Sequence, residues 1–240
     1  ASNIRGQVWT SGGLLGRDAD RLLFGVGMRD DAGAGVLSVV GGATFFVAAY
    51  MLGPRLDEEG RPRFTRGANH RDFMGHDTTL LSLGIMVTSF TWYGYVAGGS
   101  VNPREVRDLR GIEWMVLNIT FGSASSMVVT TLDGYYHHRR LKAFHDNYPE
   151  EEEEGENTPR PHPPEPLNYI RIVNGLLAGL IAANAGGSRM QPWAGIVTGA
   201  GAGLSYLAGS RIMVRLQVDD PTDSAALHFC CGLWGLVASG

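Results

Sequence analysis

"VDDPTDSAALHFCCGLWG", Val218 to Gly235, decides how the rest of this chain is read. Three aspartates, Asp219, Asp220 and Asp223, precede a run from Ser224 to Gly240 with no Lys, Arg, Asp or Glu, and inside that run stands His228. The aspartates read first as a helix start: Asp220 as N-cap, Pro221 at the first helical position and Asp223 at the third. Ser224, His228 and Gly232 recur every four residues, so the imidazole projects from a face of otherwise small side chains. Such a face packs on another helix or borders a narrow cavity.

The run is one of six. Uncharged stretches also span Ala32–Pro54, Thr78–Pro103, Trp114–Leu132, Ile172–Ser188 and Met190–Ser210, each 17 to 26 residues long. A helix crosses a bilayer core with about 20 residues, and a soluble domain seldom leaves so many stretches uncharged. They are rich in Gly, Ala, Ser and Thr, which suits helices that pack on helices. Gly195, Gly199 and Gly203 line one face of the fifth, and Ala34, Ser38 and Gly42 one face of the first. The expected fold is all-α, a polytopic transmembrane bundle with membrane helices over 31–54, 78–103, 113–135, 169–188, 190–214 and 223–240.

Charge gives the orientation and narrows the partners. The segments Gly53–Asp77, Tyr136–Arg171 and Arg211–Asp223 alternate to one side and hold twelve of the twenty Lys and Arg. By the positive-inside rule that side is cytoplasmic and the amino-terminal segment is outside. The segment 146–167, acidic and then proline-rich, reads as a disordered cytoplasmic loop, a solvated linker first and a docking place for a regulator second. His137 and His138, beside Arg139 and Arg140, read as an interfacial cluster rather than a metal site. A net charge of −4 with one lysine excludes a nucleic-acid surface. Adjacent Cys230 and Cys231 give neither a disulfide framework nor a zinc site. No phosphate loop, metal-ligand spacing or nucleophile motif calls for a cofactor or an enzyme. The chain starts on Ala1 and stops in an apolar run, which reads as a fragment.

Counting eight residues from Asp220 puts His228 about 12 Å along the helix, near the middle of a core about 30 Å thick. Ionisable groups at that depth mark ion or proton paths. The stretch resembles the aspartates and pore histidine of the ammonium transporter family. Four other blocks resemble that family in its order: "VWTSGGLLG" (8–16), "DDAGAGVLSVVGG" (30–42) leading to "LGPR" (52–55), "WYGYVAGGS" (92–100) and "NGLLAGLIAANAGG" (174–187).

The resemblance implies helices five to ten of an eleven-helix fold, a homotrimer with one pore per subunit, and an integral plasma-membrane location. Ammonium would be recruited outside at Trp9, with Asp30 shaping the site and Ser100 and Asn184 near it. Tyr95, beside Trp92, takes the place of a gating phenylalanine. Neutral ammonia would then pass an apolar pore lined by His228. The family carries two facing pore histidines; here Ser38 holds the first place, and no histidine lies between Asp30 and Arg55. Serine hydrogen-bonds ammonia but holds no proton at neutral pH. The alternative is therefore a non-conducting ammonium receptor or scaffold on the same fold.

Overall fold

Glycine spacing sets the centre of the bundle. The computed structural model describes residues 30–65, 68, 73, 75, 77–100, 109–147 and 168–240, leaving aside the side chains at 99, 100, 109, 110 and 144–147. Among these, six helical segments succeed one another: α1 (Ala34–Leu52), α2 (Thr78–Ser100), α3 (Leu109–Asn147), α4 (Tyr169–Ala183), α5 (Pro192–Arg215) and α6 (Ala226–Ser239). The Gly195, Gly199 and Gly203 face of α5 lies on α3: a Cβ at these positions would meet Asn118, then Gly122 with Ser125, then Ser126 with Val129. Gly175 and Gly179 bring α4 equally close to Thr130 and Gly122. Backbones thus approach at Gly122 from two sides, and the Ser125 hydroxyl donates across the gap to the Ile196 carbonyl at 2.9 Å. Close backbone approach at small residues is how helices hold together where lipid supplies no hydrophobic drive.

α4 is the most enclosed segment, with Ala178, Leu180, Ile181, Ala182 and Ala183 buried. Its core partners are Ala202, Tyr206 and Leu207 of α5 and Ala226, Leu227 and Cys231 of α6. α1 and α2 are the opposite case, exposing Phe45, Val47, Met51, Leu83, Met86 and Phe90. Among the described residues three helices, Ala34–Leu52, Thr78–Gly98 and Gly111–Ala143, are long and apolar enough to cross a membrane; α4 and α6 are shorter apolar helices.

Several boundaries differ from expectation. α3 runs 39 residues, about 58 Å at about 1.5 Å per residue, well past the expected end at 135. It takes in Asp146 and Asn147, expected to open the loop; 148–167 lie outside the described residues. α4 stops at Ala183 rather than 188, because Asn118 Nδ2 donates to the carbonyls of Gly187 at 2.8 Å and Met190 at 2.7 Å and holds 184–190 in a turn.

The aspartate-rich start of α6 is the main correction. Pro221 and Thr222 form a turn, Asp223 takes a left-handed φ of 54°, and helical backbone begins only at Ser224. The carboxylates are drawn three ways. Asp220 Oδ2 accepts from Ala225 N–H at 2.6 Å and still caps the helix. Asp223 Oδ2 accepts from the Tyr206 hydroxyl at 2.8 Å, and Tyr206 accepts from Asn174 at 3.1 Å. Asp219 turns away to Arg55, at 2.9 Å from both its backbone N–H and Nε, and to Arg63 at 2.5 Å.

Burial alone would raise the Asp219 carboxyl, but the hydrogen bonds from Arg55 and Arg63 outweigh it and hold the pKa down to about 2. A depressed carboxylate stabilises fully above its unfolded value of about 3.9 and loses that contribution as pH falls through its folded value. Asp219→Asn is therefore expected to cost about 1–2 kcal/mol at neutral pH, the partly exposed arginines screening the rest. Thermal unfolding in detergent would show the variant's deficit shrinking as pH falls from about 4 toward 2.

Candidate functional site

α1 and α6 pack antiparallel along a seam of small residues. A Cβ on Gly232 would touch the Ala34 carbonyl and Ser38 Cβ, and one on Gly42 would meet the backbone of Phe229. Ser38 thus faces Gly232 while Gly42 faces Phe229, so Ser38 and His228 share the seam about one turn apart. Ser38 is buried and His228 half-buried, with the Phe45 ring 6.0 Å from the imidazole.

The two helices are built alike. Asp30 and Ser38 stand eight apart, as do Asp220 and His228. Each aspartate accepts from the N–H five residues on, Gly35 at 2.9 Å and Ala225 at 2.6 Å. Each then leads into a π-helical turn, Ala34–Val39 holding Ser38 and Ala226–Cys230 holding His228. Widened turns of this kind recur at functional sites. The equal eight-residue spacing was the sequence signal for this pairing.

At the α1 entrance four expected residues converge. Asp30 Oδ2 accepts from Gly35 and Val36, closing the start of α1. Ala32 N–H donates to the Asn184 carbonyl at 2.8 Å, and Trp92 Nε1 donates to Asn184 Oδ1 at 3.1 Å. The Tyr95 hydroxyl donates to the Ala32 carbonyl at 2.5 Å, and its ring meets Trp92 edge-on at 6.1 Å. Tyr95 is fixed by a bond that phenylalanine could not make. Tyr95→Phe leaves the buried Ala32 carbonyl short of a donor and is expected to cost about 1–3 kcal/mol, readable as a lowered unfolding midpoint in detergent.

Sequence reasoning missed the residues that tie this loop down. Asp31 accepts from the Ser188 hydroxyl, its N–H donates to the Ala185 carbonyl at 2.7 Å, and Arg189 lies 3.9 Å from its carboxylate. Nothing in their spacing announces these contacts, which join segments more than 150 positions apart. The structure unites Asp30, Trp92, Tyr95 and Asn184 at one end and Ser38 with His228 along the seam. Asp219, Asp220 and Asp223 gather at the start of α6. Trp9 lies outside the described residues, as does the side chain of Ser100.

A strand-free helical bundle among the described residues, with apolar outer faces and a small-residue seam carrying one imidazole, defines a polytopic integral membrane protein. The Ammonium Transporter Family profile matches residues 6–145 and 165–240. The chain belongs to that family. It is 32% identical to Ammonium transporter 1 member 1 of Arabidopsis thaliana, over 90% of this chain and 38% of that protein. It is 28% identical to Ammonium transporter 3 of Dictyostelium discoideum, over 96% and 45%. The fold is similar to that of Saccharomyces cerevisiae Mep2, with a TM-score of 0.65 at 18% identity, over 99% of this chain and 43% of that one. A solved structure titled Sensor Amt Protein is similar at a TM-score of 0.60 and 24% identity, over 87% and 43%. The chain spans less than half the length of these proteins.

Proposed function

We propose that the full-length protein carries ammonium nitrogen across a membrane as neutral ammonia, along the seam between α1 and α6. The paired π-turns support this reading, because they bring one hydroxyl, Ser38, and one imidazole, His228, to the same α1–α6 seam. Moving a bare cation through hydrocarbon costs several kcal/mol or more. Leaving the proton at the entrance removes that barrier, and a ring nitrogen then gives or takes a hydrogen bond halfway across.

Recruitment falls to the outer end in this scheme. Trp9 offers an aromatic face to the cation, Asp30 shapes the site through backbone bonds, and Ser100 and Asn184 supply polar contacts. The relatives' names, which print ammonium transport, support the substrate. The amino-terminal end faces outward from the plasma membrane, and the protein works as a homotrimer.

Two features favour a receptor as the second reading. Ser38 holds no proton, so a relay between two imidazoles is missing, and Tyr95 is fastened across the entrance by its hydroxyl. Such a protein would bind ammonium and signal through the 146–167 loop. Uptake of labelled methylammonium by cells expressing the full-length protein separates the two. Accumulation above vector controls is the expected result; saturable binding without accumulation overturns transport in favour of the receptor.

A further inference from the structure

The long overhang of α3 has no part in the passage described above. Its level relative to the membrane is marked by Asp133, which accepts from Arg171 of α4 at 3.1 Å and Arg211 of α5 at 2.5 Å. That charged layer closes the apolar part of three helices. Exposed tyrosines stand near the ends of the apolar helices: Tyr50 in the last turn of α1, Tyr169 at the start of α4, and Tyr135 and Tyr136 just past Asp133 on α3. Tyrosines collect at the headgroup level of membrane proteins.

Beyond the tyrosines α3 presents Arg139, Arg140 and Lys142, all exposed, with His137 exposed beside them. From Gly134 to His145 there is no Asp or Glu. The Arg139 guanidinium stacks 5.9 Å from the centre of the Tyr135 ring, which holds the charge close to the helix. Three cations and two aromatics at this height match a phosphate-bearing, negatively charged surface.

We propose that the Tyr135–Lys142 segment of α3 binds the headgroups of anionic phospholipids. The guanidinium of Arg140 and the ammonium of Lys142 take the phosphate and carboxylate oxygens, while Tyr135 and Tyr136 seat the helix at the glycerol level. The site needs only the membrane embedding of the bundle and stands apart from transport. Lipid binding and flux can therefore fail separately.

The test is native mass spectrometry of the delipidated full-length protein titrated with phosphatidylserine or phosphatidylcholine. Phosphatidylserine is expected to bind more tightly, and the preference to fall about fivefold for each cation removed in Arg139→Gln, Arg140→Gln and Lys142→Gln. The double variant Arg139→Lys, Arg140→Lys is expected to keep most of it, and an unchanged unfolding midpoint shows that the neutral variants fold. Equal affinity for the two lipids, or a triple variant that keeps the preference, overturns the proposal. So does a preference that appears only after Glu150–Glu154 are changed to Gln, since the acidic run would then be what covers the cations.

Discussion

His228→Ala is expected to abolish most of the methylammonium accumulation supported by the full-length protein. The imidazole is the one titratable ring on the α1–α6 seam among the described residues, and Ser38 opposite Gly232 can hydrogen-bond ammonia but cannot hold a proton in its place. Removing a single buried hydrogen-bond partner costs about 1–3 kcal/mol, or about 5- to 150-fold in flux if the step at His228 limits passage. Initial rates of labelled uptake, normalised to surface protein, measure this directly. Ser38→His is the companion variant. A second imidazole, one turn from the first, can exchange a proton with it, so the doubly imidazole-lined protein is expected to carry more charge per nitrogen than the wild type. Electrical recording on supported membranes reads that difference. Unchanged uptake in His228→Ala would remove the ring from the passage.

Gly199→Leu is expected to destabilise the bundle severely. A Cβ at Gly199 would run into the Gly122 carbonyl and Cα and the Ser125 hydroxyl, so the obstruction is mostly backbone and cannot rotate away. Overpacking costs about 1–3 kcal/mol even where side chains can yield; against backbone, about 3 kcal/mol or more is expected. The Ser125–Ile196 tie that crosses the same gap would go with it. Gly199→Ala should show an intermediate loss and Gly41→Ala almost none, since Gly41 meets nothing within 4 Å. Unfolding midpoints of the three purified proteins, in the same detergent, rank them. A Gly199→Leu protein as stable as Gly41→Ala would mean that α3 and α5 do not approach as described.

How much of this was legible beforehand differs by element. The six helices follow from six uncharged runs, because a bilayer core excludes charge and forces the backbone to bond within each segment. The four-residue repeats at Gly195, Gly199 and Gly203 named the α5 face that meets α3. They did not name the partner, and Gly175 and Gly179 of α4, which share it, were overlooked. Local propensity placed the start of α6 at Pro221. The observed turn arises because Asp223 is pulled sideways by Tyr206 and Ser210, a contact between α5 and the α6 entrance that no local rule contains.

The sequence by itself determined the class of fold, the residues proposed to line a passage and the serine at position 38. Those depend on hydropathy and residue identity, which are local. Only the tertiary structure decided that Asp30 and Asp220 cap matching π-turns, that Tyr95 is bonded to Ala32, and that Asp219 serves Arg55 and Arg63 rather than its own helix. A buried polar group takes whichever partner satisfies it at least cost, and across 164 positions only packing brings that partner within reach.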